Sequence, residues 1–119
     1  MKTLRILLSV LIIPLPVIGC AGMITGGDLI RPGEATGIIE VVNDYNQPQT
    51  VVLISTCNAS TYGLNRLNNG ERIPENGGRR RFTVSAGCWD VGAGIVGHGQ
   101  AGFSRVTVMP NRVSVYRVH

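Results

Sequence analysis

Residues 49–57, Gln-Thr-Val-Val-Leu-Ile-Ser-Thr-Cys, are the most apolar run beyond residue 20. β-Branched side chains dominate it, and Pro48 and Asn58 bound it, so it is too short for a buried helix and suits a strand. Its apolarity predicts a central strand. Working outward, the same signature recurs at Gly37–Asn43 (GIIEVVN), Arg79–Ser85 (RRRFTVS), Cys88–Ala93 with an extension towards Val96, Ser104–Met109 and Arg112–Val118, with a short piece at Glu71–Ile73. Turn formers separate these runs at Asp44–Pro48, Pro74–Gly78, Ala86-Gly87 and Pro110-Asn111. The last pair predicts a hairpin between the final two strands. Asn58–Gly70 is a longer polar loop, with a helical turn expected over Ser60–Leu67. About seven short strands without an amphipathic helix predict an all-β domain. The expected form is a small immunoglobulin-like β-sandwich, with a small β-barrel as the alternative.

Composition agrees. Glycine is abundant, at 16 residues, and aromatic residues make up only 5%, as suits short strands and tight turns. The 119 residues favour one domain. The formal charge of +4 includes Lys2 and Arg5, and it is halved if the first residues are removed. All other basic residues are arginines. A charge this small does not point to nucleic acid.

Lys2 and Arg5 precede a nearly continuous apolar run from Leu4 to Ile18, interrupted by Ser9, Pro14 and Pro16. The run is short for a transmembrane helix and has the layout of a secretory signal peptide over residues 1–19. Val17-Ile18-Gly19-Cys20 resembles the lipobox of bacterial lipoproteins, with Val17 where Leu is commonest. That resemblance implies cleavage before Cys20, a diacylglycerol on its thiol and usually an acylated N-terminus. Two or more acyl chains hold a protein stably to a membrane. By the same resemblance Ala21, where inner-membrane lipoproteins often carry Asp, leans towards the outer membrane; a secreted or periplasmic protein is the alternative. Residues 20–35, rich in glycine, then form a flexible tether, with Met23, Ile24, Leu29 and Ile30 able to dock, and residues 36–119 form the sandwich.

There are three cysteines. If Cys20 carries lipid, Cys57 and Cys88 remain to pair in an oxidising compartment. Closing that loop contributes about 3–4 kcal/mol in the chain-entropy model. The alternatives are two unrelated buried thiols or a metal site, for which His98 and His119 are the histidines on offer. Trp89 is expected to pack on the disulfide.

Between Val51 and Asp90 the chain carries Ser55-Thr56-Cys57, Asn65-Arg66-Leu67, Phe82-Thr83-Val84 and Gly87-Cys88-Trp89-Asp90. This succession resembles small envelope domains of unknown function associated with bacterial lipoproteins. The resemblance covers under half of the chain beyond Cys20 and implies a fold and a compartment rather than an activity.

Candidate chemistry is sparse. Gly92-Ala93-Gly94-Ile95-Val96-Gly97 matches G-x-G-x-x-G, but the residues after it are poor helix material, so a glycine-rich strand and loop is expected instead of a nucleotide cradle. Arg79-Arg80-Arg81 fits an anionic partner or a charge-guarded edge strand; alternation prevents all three from sharing one face. Tyr62, Asn65 and Arg66 give the long loop a polar, partly aromatic surface. These residues, with the arginines and Trp89, are the candidate partner contacts. His98 has no nucleophile signature around it, and Glu40, Asp44, Glu71, Glu75 and Asp90 form no recognisable acid–base pair. The expectation is a non-enzymatic interaction or structural module of the envelope, without a cofactor, metal or nucleic-acid partner. It is anchored to the membrane through lipid and binds an envelope protein or glycan; the alternatives are an inhibitor of a lysozyme or protease, or a glycan-binding module.

Overall fold

The computed structural model describes residues 26–98 and 102–119. The expected signal peptide (1–19), Cys20 and the first part of the expected tether lie outside the described residues. Among the described residues there are six strands and no helix: β1 (Thr36–Asn43), β2 (Val51–Thr56), β3 (Gly78–Ser85), β4 (Gly87–Gly94), β5 (Phe103–Val108) and β6 (Val113–Val118). They form two three-stranded sheets, ordered β3-β1-β6 and β2-β4-β5. The molecule is therefore a small β-sandwich rather than a closed barrel. The seventh strand expected at Glu71–Ile73 contracts to one antiparallel bridge between Ile73 and Gln49.

Period-two alternation builds the core. Ile39 and Val41 of β1, Val52 and Ile54 of β2, Phe82 and Val84 of β3, Trp89, Val91 and Ala93 of β4 and Val108 of β5 all point between the sheets. Leu67 and Ile73 close the core from the loops. Trp89 is fully buried, and its indole N–H donates to the Ser85 carbonyl at 2.8 Å. Its polar atom is thus satisfied without water.

Two expectations are corrected by tertiary context. The last two strands do not form a hairpin. β5 pairs antiparallel with β4, whereas β6 crosses to the other sheet and runs parallel to β1. The tight corner between them is fastened to β1 instead: Asn111 N–H donates to Thr36 C=O and Ile38 N–H to Arg112 C=O. Secondly, β2 is an edge strand. Its high apolarity is possible there because the loop Asn58–Gly70 covers its edge, as described below. That loop has no helical turn. The segment expected as a tether is docked from Gly26 onwards, through one of the apolar residues given as able to dock. Leu29 packs on the core, its carbonyl accepts from Ser85 N–H at 2.7 Å, and Arg31 N–H donates to the Ser85 hydroxyl.

The Cys57–Cys88 disulfide is present, with Cα atoms 5.5 Å apart. It continues the β2–β4 register one step beyond Thr56–Trp89, so it joins neighbouring strands of one sheet rather than the two sheets. Consequently Trp89 does not pack on it: the two residues are consecutive in a strand and face opposite ways.

Gly37 sits where the β5–β6 corner crosses β1. A Cβ there would meet the Met109 carbonyl and the Val108 side chain. Gly37→Ala should therefore destabilise the domain by about 2 kcal/mol or more through overpacking, measured as a lower urea midpoint at unchanged slope. A substitution that leaves the midpoint in place would show that the corner is not held against β1.

Candidate interaction surface

The arginine run divides as alternation requires. On the outer face of the β3-β1-β6 sheet, Arg81 Nε donates to Glu40 Oε2 at 2.9 Å and Arg79 Nη1 to Glu40 Oε1 at 3.0 Å. Glu40 itself is nearly buried. The Arg81 hydrogen bond, opposed by burial and assisted by the charges of both arginines, holds the Glu40 carboxyl below its ordinary range. Arg80 faces the other way. It lies over the Phe82 ring, 4.4 Å from the centroid, and donates to Glu71 Oε2 at 2.7 Å. That bond and the Asn68 N–H lower the Glu71 pKa as well. All three guanidinium groups are thus engaged within the chain, although the side chains of Arg79 and Arg81 are over half exposed.

The long loop is likewise tied down by the residues that gave it a binding character. Asn65 Oδ1 accepts from Val52 N–H at 2.9 Å and its Nδ2 donates to Thr50 C=O at 2.9 Å. Arg66 N–H donates to Val52 C=O, while its guanidinium donates to the carbonyls of Ile54 and Gly27, both at 2.7 Å. Thr56 N–H is met by Gly26 C=O. These bonds occupy the free edge of β2, a position that otherwise invites pairing with another chain. Burial lowers the Arg66 pKa, with Asp28 opposing. Of the candidate contacts, Trp89 lies in the core and offers no surface, and Asn65 and Arg66 serve the edge. Tyr62 remains exposed.

Tyr62 belongs to a surface that includes residues not singled out by sequence. With Trp89, Val91 and Ala93 turned inward, Cys88, Asp90, Gly92 and Gly94 form the outer face of β4. Phe103 of β5 is registered opposite Gly92 and lies across it; a Cβ at Gly92 would fall 2.7 Å from the ring. The Tyr62 ring stacks on Phe103, with centroids 3.8 Å apart and planes 17° from parallel. The stack borders an apolar hollow of about 220 Å³, floored by Gly92, Ala93 and Gly94 and walled by Val51, Leu53 and Val96. The glycine-rich motif therefore supplies a strand and a sheet floor; it ends in a turn in which His98 N–H donates to Ile95 C=O. Phe103 was legible in principle. It shares its strand parity with Arg105 and Thr107, the polar side of FSRVTV, which places an aromatic ring on the solvent face.

Next along the same face, Arg105 grips Asp90 through Nε and Nη2 at 3.0 and 3.1 Å. The Asp90 bond raises the Arg105 pKa. At the far end Arg31, Thr56, Cys57, Asn58, Cys88 and Arg105 line a second, more polar hollow. Among the described residues, no three His, Cys, Asp or Glu side chains gather closely enough to hold a metal ion. Comparison of the chain with protein-family models, with curated proteins and with solved structures found no match.

Because Glu40 binds its proton less readily when folded than when unfolded, its contribution to stability is intact above the ordinary value of 4.5 and is lost as pH falls from there towards the folded value. Urea midpoints should accordingly drop below that pH, and Glu40→Gln should flatten the drop while lowering stability at neutral pH. An unchanged acid limb in Glu40→Gln would remove Glu40 as its source.

Proposed function

We propose that the chain is an exported bacterial lipoprotein whose sandwich is a non-enzymatic interaction module of the cell envelope, carried on the membrane by lipid on Cys20. The observation that carries the interaction reading is the Tyr62–Phe103 stack beside its glycine-floored hollow. Paired aromatic rings on the solvent side of a sheet are costly to leave wet and are characteristic of contact surfaces. The address rests on the Lys2–Cys20 pattern and on cysteine use. Pairing of Cys57 with Cys88 suits an oxidising compartment and leaves Cys20 over. The non-enzymatic reading is supported by the acids. Glu40, Asp44, Glu71 and Asp90 each accept from an arginine, and for Glu40 and Glu71 that pairing favours the ionised form over a proton-transferring one.

A glycan-binding module is the second reading, favoured by the same exposed tyrosine. An inhibitor that uses the long loop would present Ser60–Leu64, the exposed crest left after Asn65 and Arg66 fix its base.

Labelled palmitate fed to producing cells should enter the protein and be lost in Cys20→Ala; label retained in that variant would defeat the anchor. For the contact surface, a photo-cross-linking residue at position 62 should give discrete adducts in intact cells, with none from the same residue at Glu75. Equal adducts from both positions would argue against a dedicated face. Retention of the protein on insoluble peptidoglycan, weakened about tenfold or more by Tyr62→Ala as expected for loss of an aromatic anchor, would select the glycan reading.

A further inference from the structure

The inward turn of Trp89 leaves the disulfide on the outside. Cys88 is exposed on the outer face of β4, with Cys57 half-buried beside it. Both cysteines line a surface hollow of about 670 Å³ together with Arg31, Thr56, Asn58 and Arg105. Arg105 lies beside the disulfide, where its Nη2 donates to the Cys57 backbone carbonyl at 3.3 Å. Arg31 stands over the Trp89 ring, 5.3 Å from the centroid, and pairs with Glu34. Glu34 and Asp90 match the formal charges of Arg31 and Arg105 one for one, but each guanidinium has N–H groups beyond those its carboxylate takes, and both side chains line the hollow. A staple inside a core is shielded from dissolved thiols; this one is open to them.

A pair of guanidinium groups beside an open disulfide has two consequences. It concentrates anionic nucleophiles at the sulfur, and it stabilises the thiolate that must leave. We infer that Cys57–Cys88 is a thiol–disulfide exchange site selective for anionic, carboxylate-bearing thiols, with Arg31 and Arg105 as the residues that recognise the carboxylate.

The incoming thiolate attacks the exposed Cys88 Sγ. A bond forms between the two sulfurs, the Cys57–Cys88 bond breaks, and its electron pair departs on Cys57 as a thiolate. A second thiolate then attacks the sulfur of the first, releasing Cys88 as a thiolate and the small molecule as its own disulfide. The protons given up by the two small thiols end on Cys57 and Cys88. Two thiols are oxidised, and the protein disulfide takes up two electrons. The reaction occurs on the face of β4 opposite Trp89, one step beyond the ladder that runs from Val51–Gly94 to Thr56–Trp89.

The test uses the oxidised full chain under native conditions and three thiols that differ in charge: 3-mercaptopropionate, 2-mercaptoethanol and cysteamine. Free Cys57 and Cys88 are trapped with N-ethylmaleimide and counted by peptide mass. Each rate is expressed per thiolate and divided by the rate of the same thiol on the urea-unfolded chain, which removes differences in intrinsic reactivity. The expected order is anionic, then neutral, then cationic, with about tenfold between the extremes from two nearby charges. That ratio should collapse in about 0.5 M salt and in Arg105→Gln, and persist in Arg72→Gln, whose arginine lies at the other end of β2. Equal normalised rates for the three thiols would overturn the inference, as would a ratio unchanged by salt or retained in Arg105→Gln. Should Arg105→Gln fail to fold, Arg31→Gln and the salt series on the unaltered chain decide the same question.

Discussion

The parity of β4 is the constraint from which the rest of the molecule follows. Trp89 must face inward, because its large indole surface is fully covered there and its N–H finds the Ser85 carbonyl. Once that is fixed, strand geometry leaves no freedom to the neighbours. Val91 and Ala93 join the core, while Cys88, Asp90, Gly92 and Gly94 are placed on the outer face. Each outer residue then acquires its role from the strand beside it. Cys88 meets Cys57, Asp90 meets Arg105, and Gly92 receives the Phe103 ring. The contact surface and the accessible disulfide are thus both consequences of burying one tryptophan. A shift of register by one residue would bury the disulfide and Asp90 and expose the indole.

The sandwich is small, and small sandwiches have a large proportion of edge. β2 illustrates how apolarity and edge position are reconciled. The strand is hydrophobic enough to suggest a central place, yet only β4 pairs with it. Its other side is satisfied by one asparagine side chain, one arginine with its backbone, and a glycine carbonyl from the docked N-terminal segment. These groups imitate a neighbouring strand without being one. The same economy explains why Asn65 and Arg66 look like recognition residues in the sequence. Their donors and acceptors are indeed directed at a polar target, and that target is the chain's own backbone.

Much of the fold was legible because it depends on local signals. Strand positions follow from runs such as GIIEVVN and RRRFTVS, and the separation of Arg79 and Arg81 from Arg80 follows from alternation alone. The pairing of Cys57 with Cys88 was reached from their number and the lipid attachment expected at Cys20. What escaped depends on partners that carry no sequence signature. Backbone carbonyls are the same at every position, so nothing marks Ile54 or Gly27 as targets of Arg66. The departure of β6 from β5 is accompanied by the close fit of Gly37 under the corner, a contact between residues far apart in the chain. The Tyr62–Phe103 stack likewise joins a loop to a strand about forty positions later. Its one local sign, an aromatic at a polar parity, acquires meaning only when the facing residue proves to be glycine.

The exclusive use of arginine after residue 19 fits this picture better than a general attraction to anions. A guanidinium presents several donors in a fixed fork, whereas an ammonium is a compact point charge. The forks here span separate acceptors. Arg66 joins two carbonyls from different segments, and Arg105 holds both oxygens of Asp90 while touching the Cys57 carbonyl. On the opposite sheet two arginines share the single carboxylate of Glu40. Lysine would supply the charge at each place without the geometry. The positive charge of the domain is therefore largely committed to cross-linking its own loops and strands. What it leaves for a partner is the combination of an exposed tyrosine stacked on a half-buried phenylalanine, a glycine floor and, at the other end of the same face, an open disulfide flanked by two of those arginines.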